Sequence, residues 1–157
     1  MIKLLVFDFD GTLADSRKIL FNLVKKEIKN SEYRISKAFV KGFGDKPLNG
    51  MLKMIGLSNN ELNYYDKNIH KDFLKNAKKI KACKNLKSLK KIRIKKIVLS
   101  NSIHKFISIV LKNLGAEKYF DRILGADDFE SKIQEFRKII KIYNAKPREM
   151  AYVGDRV

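Results

Sequence analysis

The chain has one cysteine, two histidines and only 17 acidic residues among 157. The lone Cys83 excludes an internal disulfide and agrees with a reducing, cytoplasmic setting. His70 and His104 have neither a second histidine nor a cysteine beside them, so no zinc-binding spacing is present. No apolar stretch approaches the roughly 20 residues that a membrane helix needs. The opening apolar run, Leu4 to Phe7, is cut by Asp8 before it reaches signal-peptide length. Internal repeats and low-complexity segments are also lacking. These absences point to a soluble protein with no membrane partner.

The scarcity of acids leaves 35 Lys and Arg against 17 Asp and Glu, a formal net charge of +18. Such a field attracts polyanions and phosphorylated solutes. The basic residues are spread along the chain in pairs such as Lys25-Lys26, Lys78-Lys79, Lys90-Lys91 and Lys95-Lys96. They fall where solvated helix faces would need them, and no recognition motif accompanies them. Nucleic-acid binding therefore rests on net charge alone.

What the chain does contain is a concentrated feature near its start. Residues 8 to 16 read Asp-Phe-Asp-Gly-Thr-Leu-Ala-Asp-Ser, directly after the apolar run. Alternate side chains of a strand share a face, so Asp8 and Asp10 are expected to point the same way. Two like charges that close call for a cation, a shared proton, or both.

The rest of the chain supplies a frame for that pair. Residues 3–9, 96–100, 122–126 and 150–154 read as strands, the first two apolar enough to be covered on both faces of a parallel sheet. Phe106, Ile109, Val110 and Leu114 define one helix, with Gly115 as its stop. Phe136, Ile139, Ile140 and Tyr143 define another, opened by Ser131 and Gln134 as a capping box. Alternating strands and helices imply an α/β fold, a Rossmann-like parallel sheet with flanking helices. Residues 16–80 break the rhythm and read as helical throughout. The expected division is a discontinuous α/β core, 1–15 and 81–157, and a helical insert, 16–80.

In an open parallel sheet, ligands bind outside the carboxyl ends of the strands. Asp8 and Asp10, Ser100 and Asn101, and Asp155 all fall there, and Lys132 comes after the third strand at a helix start. Together they can do phosphoryl chemistry. One carboxylate can attack phosphorus, and another can protonate the leaving alkoxide and then deprotonate water. Mg²⁺ would draw two carboxylates together beside the phosphate. A lysine and a hydroxyl would take the remaining phosphoryl oxygens.

The nine residues from Asp8 resemble the first motif of the haloacid dehalogenase superfamily, in its phosphoglycolate-phosphatase-like branch. Leu99-Ser100-Asn101 resembles the second motif, Lys132 the third-motif lysine, and Val153-Gly154-Asp155 the start of the fourth. The resemblance implies Asp8 as nucleophile and Asp10 as general acid/base. It implies Ser100, Asn101 and Lys132 as phosphate ligands, and Mg²⁺ held by Asp8, the Asp10 carbonyl and Asp155. The helical insert stands where the family places its cap. The implied activity is a Mg²⁺-dependent phosphatase acting on a small phosphorylated metabolite, with a phosphomutase as the neighbouring alternative.

Two features depart from the family pattern. Ile133 stands where a proline usually comes after the third-motif lysine, which keeps Lys138 in view as a substitute. The fourth motif lacks its second acid and the final βα segment, and Val157 is the last residue. That ending carries another reading, an inactive homologue that binds phosphate or a partner. Among the other polar residues, Asp15 or Ser16 is expected to cap a helix, and Asp127 and Asp128 to shape the loop after the third strand. Phe39 and Phe43 could line a pocket, though aromatic residues at helical spacing are more often core.

Overall fold

The computed structural model describes residues 1–155. In chain order the elements are β1 (Leu4–Phe7), α1 (Arg17–Ile28), α2 (Lys37–Lys41), α3 (Leu48–Lys53), α4 (Asn59–Asn76), β2 (Lys95–Leu99), α5 (His104–Asn113), β3 (Arg122–Leu124), α6 (Lys132–Ile142) and β4 (Met150–Val153). Short 3₁₀ turns cover Ala77–Lys79, Leu86–Lys91, Glu117–Tyr119 and Pro147–Glu149. The chain forms two compact units, Met1–Asp15 with Lys81–Val157, and Ser16–Ile80. Among the described residues no helix is long and apolar enough to cross a membrane.

The first unit is built on a parallel sheet in the order β3-β2-β1-β4. Its four strands are those the apolar runs predict, with β1, β3 and β4 shorter by three, two and one residues and β2 shifted by one. Register fixes which side chains share a face. Val6 lies opposite Ile97 and Tyr152, so Leu4, Val6, Ile97, Leu99 and Tyr152 look to the same side. On that side Leu4, Val6, Ile97, Leu99, Leu124 and Ile139 of α6 form one buried cluster, with Phe136 packed against it. Helix α5 buries Phe106, Ile107, Val110 and Leu111, and the Phe106 ring meets Phe9 edge-on at 5.9 Å.

The strands are not equally covered. β2 is buried from Lys96 to Leu99, whereas on β4 Tyr152 and Val153 are exposed. Lys96 is a buried cation on the face opposite Ile97, and its ammonium donates to the carbonyls of Ile92 and Ile94 at 2.6 and 2.9 Å. Those bonds satisfy a group that would otherwise be costly to bury.

The helical unit has its own core. Leu20, Val24 and Ile28 of α1 are buried, as are Leu62, Ile69 and Phe73 of α4. Phe39 and Phe43 are buried too, and the Phe43 ring meets Phe21 edge-on at 5.1 Å and Phe39 at a tilt at 5.6 Å, so both belong to this core rather than to a pocket. At the start of α4, Glu61 accepts from the Ser58 amide at 3.0 Å and from its hydroxyl, the capping-box pairing. At α1 the expected cap differs. Ser16 occupies the N-cap position but in helical geometry, and its side chain makes no capping hydrogen bond.

Candidate active site

β1 ends at Phe7, and the backbone then enters a tight turn instead of continuing as strand. The amides of Leu13 and Ala14 both donate to the Phe9 carbonyl, and the Gly11 amide donates to the Ala14 carbonyl. Gly11 has φ of +82°, a conformation that costs little only without a Cβ. This turn changes the expectation for the two carboxylates. The same-face rule holds only inside a strand, and Asp8 and Asp10 lie past its end.

Asp8 continues the register of Val6 and meets α6. The Lys132 ammonium donates to its Oδ1 at 3.0 Å, and the Phe9 amide donates to the same oxygen at 2.9 Å. The Asp8 amide donates to the Val153 carbonyl at 2.8 Å, which ties the end of β1 to the end of β4. Burial works against the Lys132 charge. The Asp8 charge and hydrogen bonding to Tyr152 and Asp8 outweigh it, and the ammonium is held above its usual value. Lys138, largely exposed, instead pairs with the buried Glu135 at 3.1 Å, so it is Lys132 that reaches the carboxylate.

Asp10 meets the end of β2. Its Oδ2 accepts from the Ser100 hydroxyl at 3.2 Å and from the Ser102 hydroxyl at 2.7 Å. Both serines are buried. The Ser102 amide also donates to the Ser100 oxygen at 3.1 Å, so a single turn aims two hydroxyls at one oxygen. Asn101 lies between them, half-buried. Ser102 stands out as a site residue that sequence reasoning passed over. Its position two residues after Ser100 was the available signal, since a hydroxyl at that spacing can be turned back by a serine turn.

Asp155 is exposed, beyond β4. Asp127 and Asp128 do shape the loop after β3. Asp127 accepts from the His104 amide at 2.6 Å, and Asp128 accepts from the Gly125 amide and pairs with the His104 ring at 2.7 Å. His104, the first residue of α5, is thereby tied to the loop after β3.

The donor chemistry suits a hard divalent cation. Asp8 and Asp155 lie just past the ends of adjacent parallel strands, and carboxylate oxygens are the ligands Mg²⁺ takes, usually one or two with water and phosphate completing the shell. No group of three or more His, Cys, Asp or Glu residues gathers as a metal site among the described residues.

The site therefore holds a carboxylate against an ammonium, a second carboxylate under two hydroxyls, and a third at the rim. The family model for haloacid dehalogenase-like hydrolases matches residues 5–157. Among solved structures, the fold is shared with a candidate phosphoglycolate phosphatase from Lactobacillus plantarum, 16% identical with a TM-score of 0.83, covering 100% of this chain and 79% of that one. A β-phosphoglucomutase from Clostridium difficile is 21% identical, with a TM-score of 0.79 and coverage of 97% and 75%. A haloacid dehalogenase-like hydrolase from Streptococcus pneumoniae is 19% identical, with a TM-score of 0.76 and coverage of 98% and 76%. At these identities the likeness is one of fold. No curated protein sequence matches the chain.

Proposed function

Because the chain belongs to the haloacid dehalogenase-like hydrolases, we propose that it is a phosphatase that hydrolyses a small phosphorylated metabolite through an aspartyl-phosphate on Asp8. The single observation that carries this reading is the unequal solvation of the two carboxylates. Asp8 is held against the Lys132 cation at 3.0 Å, whereas Asp10 is held by two neutral hydroxyls. The Lys132 ammonium fixes one Asp8 oxygen and stands where it can also meet the oxygens of a phosphoryl group brought to that carboxylate. A hydroxyl can accept as well as donate, so the Ser100 and Ser102 side chains accommodate Asp10 both with and without its proton.

In the first step an Asp8 oxygen forms a bond to phosphorus as the bond to the leaving oxygen breaks. Asp10, protonated for this step, gives its proton to that oxygen. In the second step Asp10 takes a proton from water, and the resulting hydroxide attacks phosphorus and releases Asp8. Lys132, Ser100 and Asn101 are assigned to the phosphoryl oxygens, where negative charge spreads. Mg²⁺ would be held by Asp8, the Asp10 backbone carbonyl and Asp155, and when bound it would offset the charge of the incoming phosphate. Choice of substrate is assigned to the helical unit, as a cap. The single cysteine agrees with a reducing compartment.

The test is hydrolysis of an aryl phosphate with and without Mg²⁺ by the wild type and by Asp8→Asn. The reading expects metal-dependent turnover that falls by about a thousandfold or more in the variant. A folded wild-type protein that binds phosphate without turning it over would replace it with the inactive-homologue reading. The neighbour named as a β-phosphoglucomutase keeps one other branch in view. Transfer of phosphate from the labelled enzyme to a sugar hydroxyl faster than to water would identify a mutase.

A further inference from the structure

The catalytic reading uses Lys132 but leaves unexplained what holds its long, flexible side chain in place. Helix α6 begins at this residue, so the lysine stands where a helix has least support from its own turns. Across from it, on the same face of the sheet, lies Tyr152 of β4. The Lys132 ammonium sits over the Tyr152 ring, 5.5 Å from its centroid, within the range of a cation–π contact.

The ring is itself fixed on two sides. Phe136 meets it edge-on at 6.2 Å and 78°. Lys132 and Phe136 are four residues apart on α6, so one helix face presents both to the same ring. On the strand side the ring leans over Gly154. A Cβ at 154 would come within 2.8 Å of the Tyr152 Cε1, so the missing side chain is what leaves room for the ring. Tyr152 is 45% exposed, which is more than a residue kept for the core would be.

We propose that Tyr152 is a positioning residue whose ring, braced by Phe136 and by the space over Gly154, holds the Lys132 ammonium against Asp8. Its kinetic consequence rests on the phosphatase reading; its structural consequence does not. With the ring removed, the ammonium gains freedom and its contact with Asp8 becomes one of several. Phenylalanine keeps the ring face and gives up only the Tyr152 hydroxyl's hydrogen bond to the ammonium, leucine removes both, and the exposure of the site lets either be accommodated.

The experiment compares Tyr152→Phe, Tyr152→Leu, Lys132→Met and the Tyr152→Leu/Lys132→Met double variant, each checked for folding by circular dichroism. Reductive methylation at one fixed pH, mapped by peptide mass spectrometry, reads how well Lys132 is held. Tyr152→Leu is expected to raise its labelling rate by about fivefold, and Tyr152→Phe to leave it within about twofold. Unchanged labelling in folded Tyr152→Leu, or an equal rise in Tyr152→Phe, overturns the proposal. Kinetics with an aryl phosphate supply the second arm. Tyr152→Leu is expected to lower kcat/KM by about fivefold when Lys132 is present and to have no further effect in the Lys132→Met background. An equal loss in both backgrounds overturns the proposal by assigning Tyr152 a role independent of the lysine. If the wild type has no turnover, the phosphatase reading fails and the labelling arm alone decides this one.

Discussion

Asp8 and Asp10 are separated by one residue, yet the protein surrounds them with different chemistry. α6 brings a cation to Asp8, and the turn after β2 brings two hydroxyls to Asp10. The difference arises from where β1 stops. Asp8 still obeys the strand register and faces α6, while Asp10 is carried by the Gly11 turn toward the serines. Two identical side chains thus acquire different partners through backbone geometry, and the proposed division of tasks rests on that difference. An ammonium suits a carboxylate that receives a phosphoryl group, and hydroxyls, which both donate and accept, suit one that gains and loses a proton.

The sharpest way to break this comparison is to remove the proton carrier. Asp10→Asn is expected to lower kcat by about 10²- to 10⁴-fold, the usual contribution of general acid–base catalysis. The loss should depend on the leaving group. An alkyl phosphate releases a basic alkoxide and needs the acid, whereas an aryl phosphate with a weakly basic leaving group needs it less. Steady-state rates on both substrates check this, and an equal loss on the two would remove the acid role from Asp10.

Lys132→Met probes the other side. Its expected cost is about 10²-fold in kcat/KM, of the size found when one group that stabilises the transferring charge is lost. Here the loss should be similar for alkyl and aryl substrates, because the lysine serves the phosphoryl oxygens and Asp8 rather than the leaving group. The two variants therefore differ in pattern as well as in size.

These contrasts were only partly legible in the sequence. The carboxylate pair, Ser100, Lys132 and the four strands could be read because strand ends in a parallel sheet converge on one edge. The same-face expectation for Asp8 and Asp10 could not survive, since it assumed a strand where Gly11 makes a turn. Ser102 had only its spacing from Ser100 to announce it, and which way the turn throws its hydroxyl is a tertiary fact. Tyr152 had no local pattern at all, since its place depends on how far α6 approaches β4. The missing proline after Lys132 weighed against that lysine, but the helix starts at Lys132 without it because the Ser131 hydroxyl accepts from the Gln134 amide.

Ser102→Ala sharpens the Asp10 side further. It deletes the shorter of the two hydroxyl contacts, 2.7 against 3.2 Å, and leaves Ser100 in place. A charge-assisted hydrogen bond of this kind corresponds to about a tenfold change. The expected result is a loss of about tenfold in kcat with little change in KM, measured on the alkyl substrate. The same loss with a raised KM instead would place Ser102 among the phosphate ligands and dissolve its link to Asp10.

The smallest effect is expected at the opposite end of the same two strands. Where β1 and β4 begin, Lys3 pairs with Glu149 at 2.6 Å, and Glu149 also accepts from the Lys146 amide at 3.0 Å. The Lys3 amide donates to the Glu149 carbonyl at 2.7 Å. Like Lys132 with Asp8, this is a lysine bonded to a carboxylate at one end of β1. It differs in exposure, since the Lys3 side chain is 65% exposed and that of Lys132 only 24%. Hydrogen bonding from Lys3, then from the Lys146 amide, holds the Glu149 carboxyl below its usual value of 4.5. A depressed carboxyl contributes stability that is present above pH 4.5 and is lost as pH falls through the lower value in the folded state. Glu149→Gln is therefore expected to leave kcat and KM unchanged and to lower the melting temperature slightly at neutral pH. The difference from wild type should close as the pH is taken below that window. Melting curves recorded from pH 7 down to the acid limit check the sign. A gap that widened in acid would mean that Glu149 acts through packing rather than charge, and the lysine–carboxylate pairs at the two ends of β1 could then no longer be compared as electrostatic devices that differ chiefly in burial.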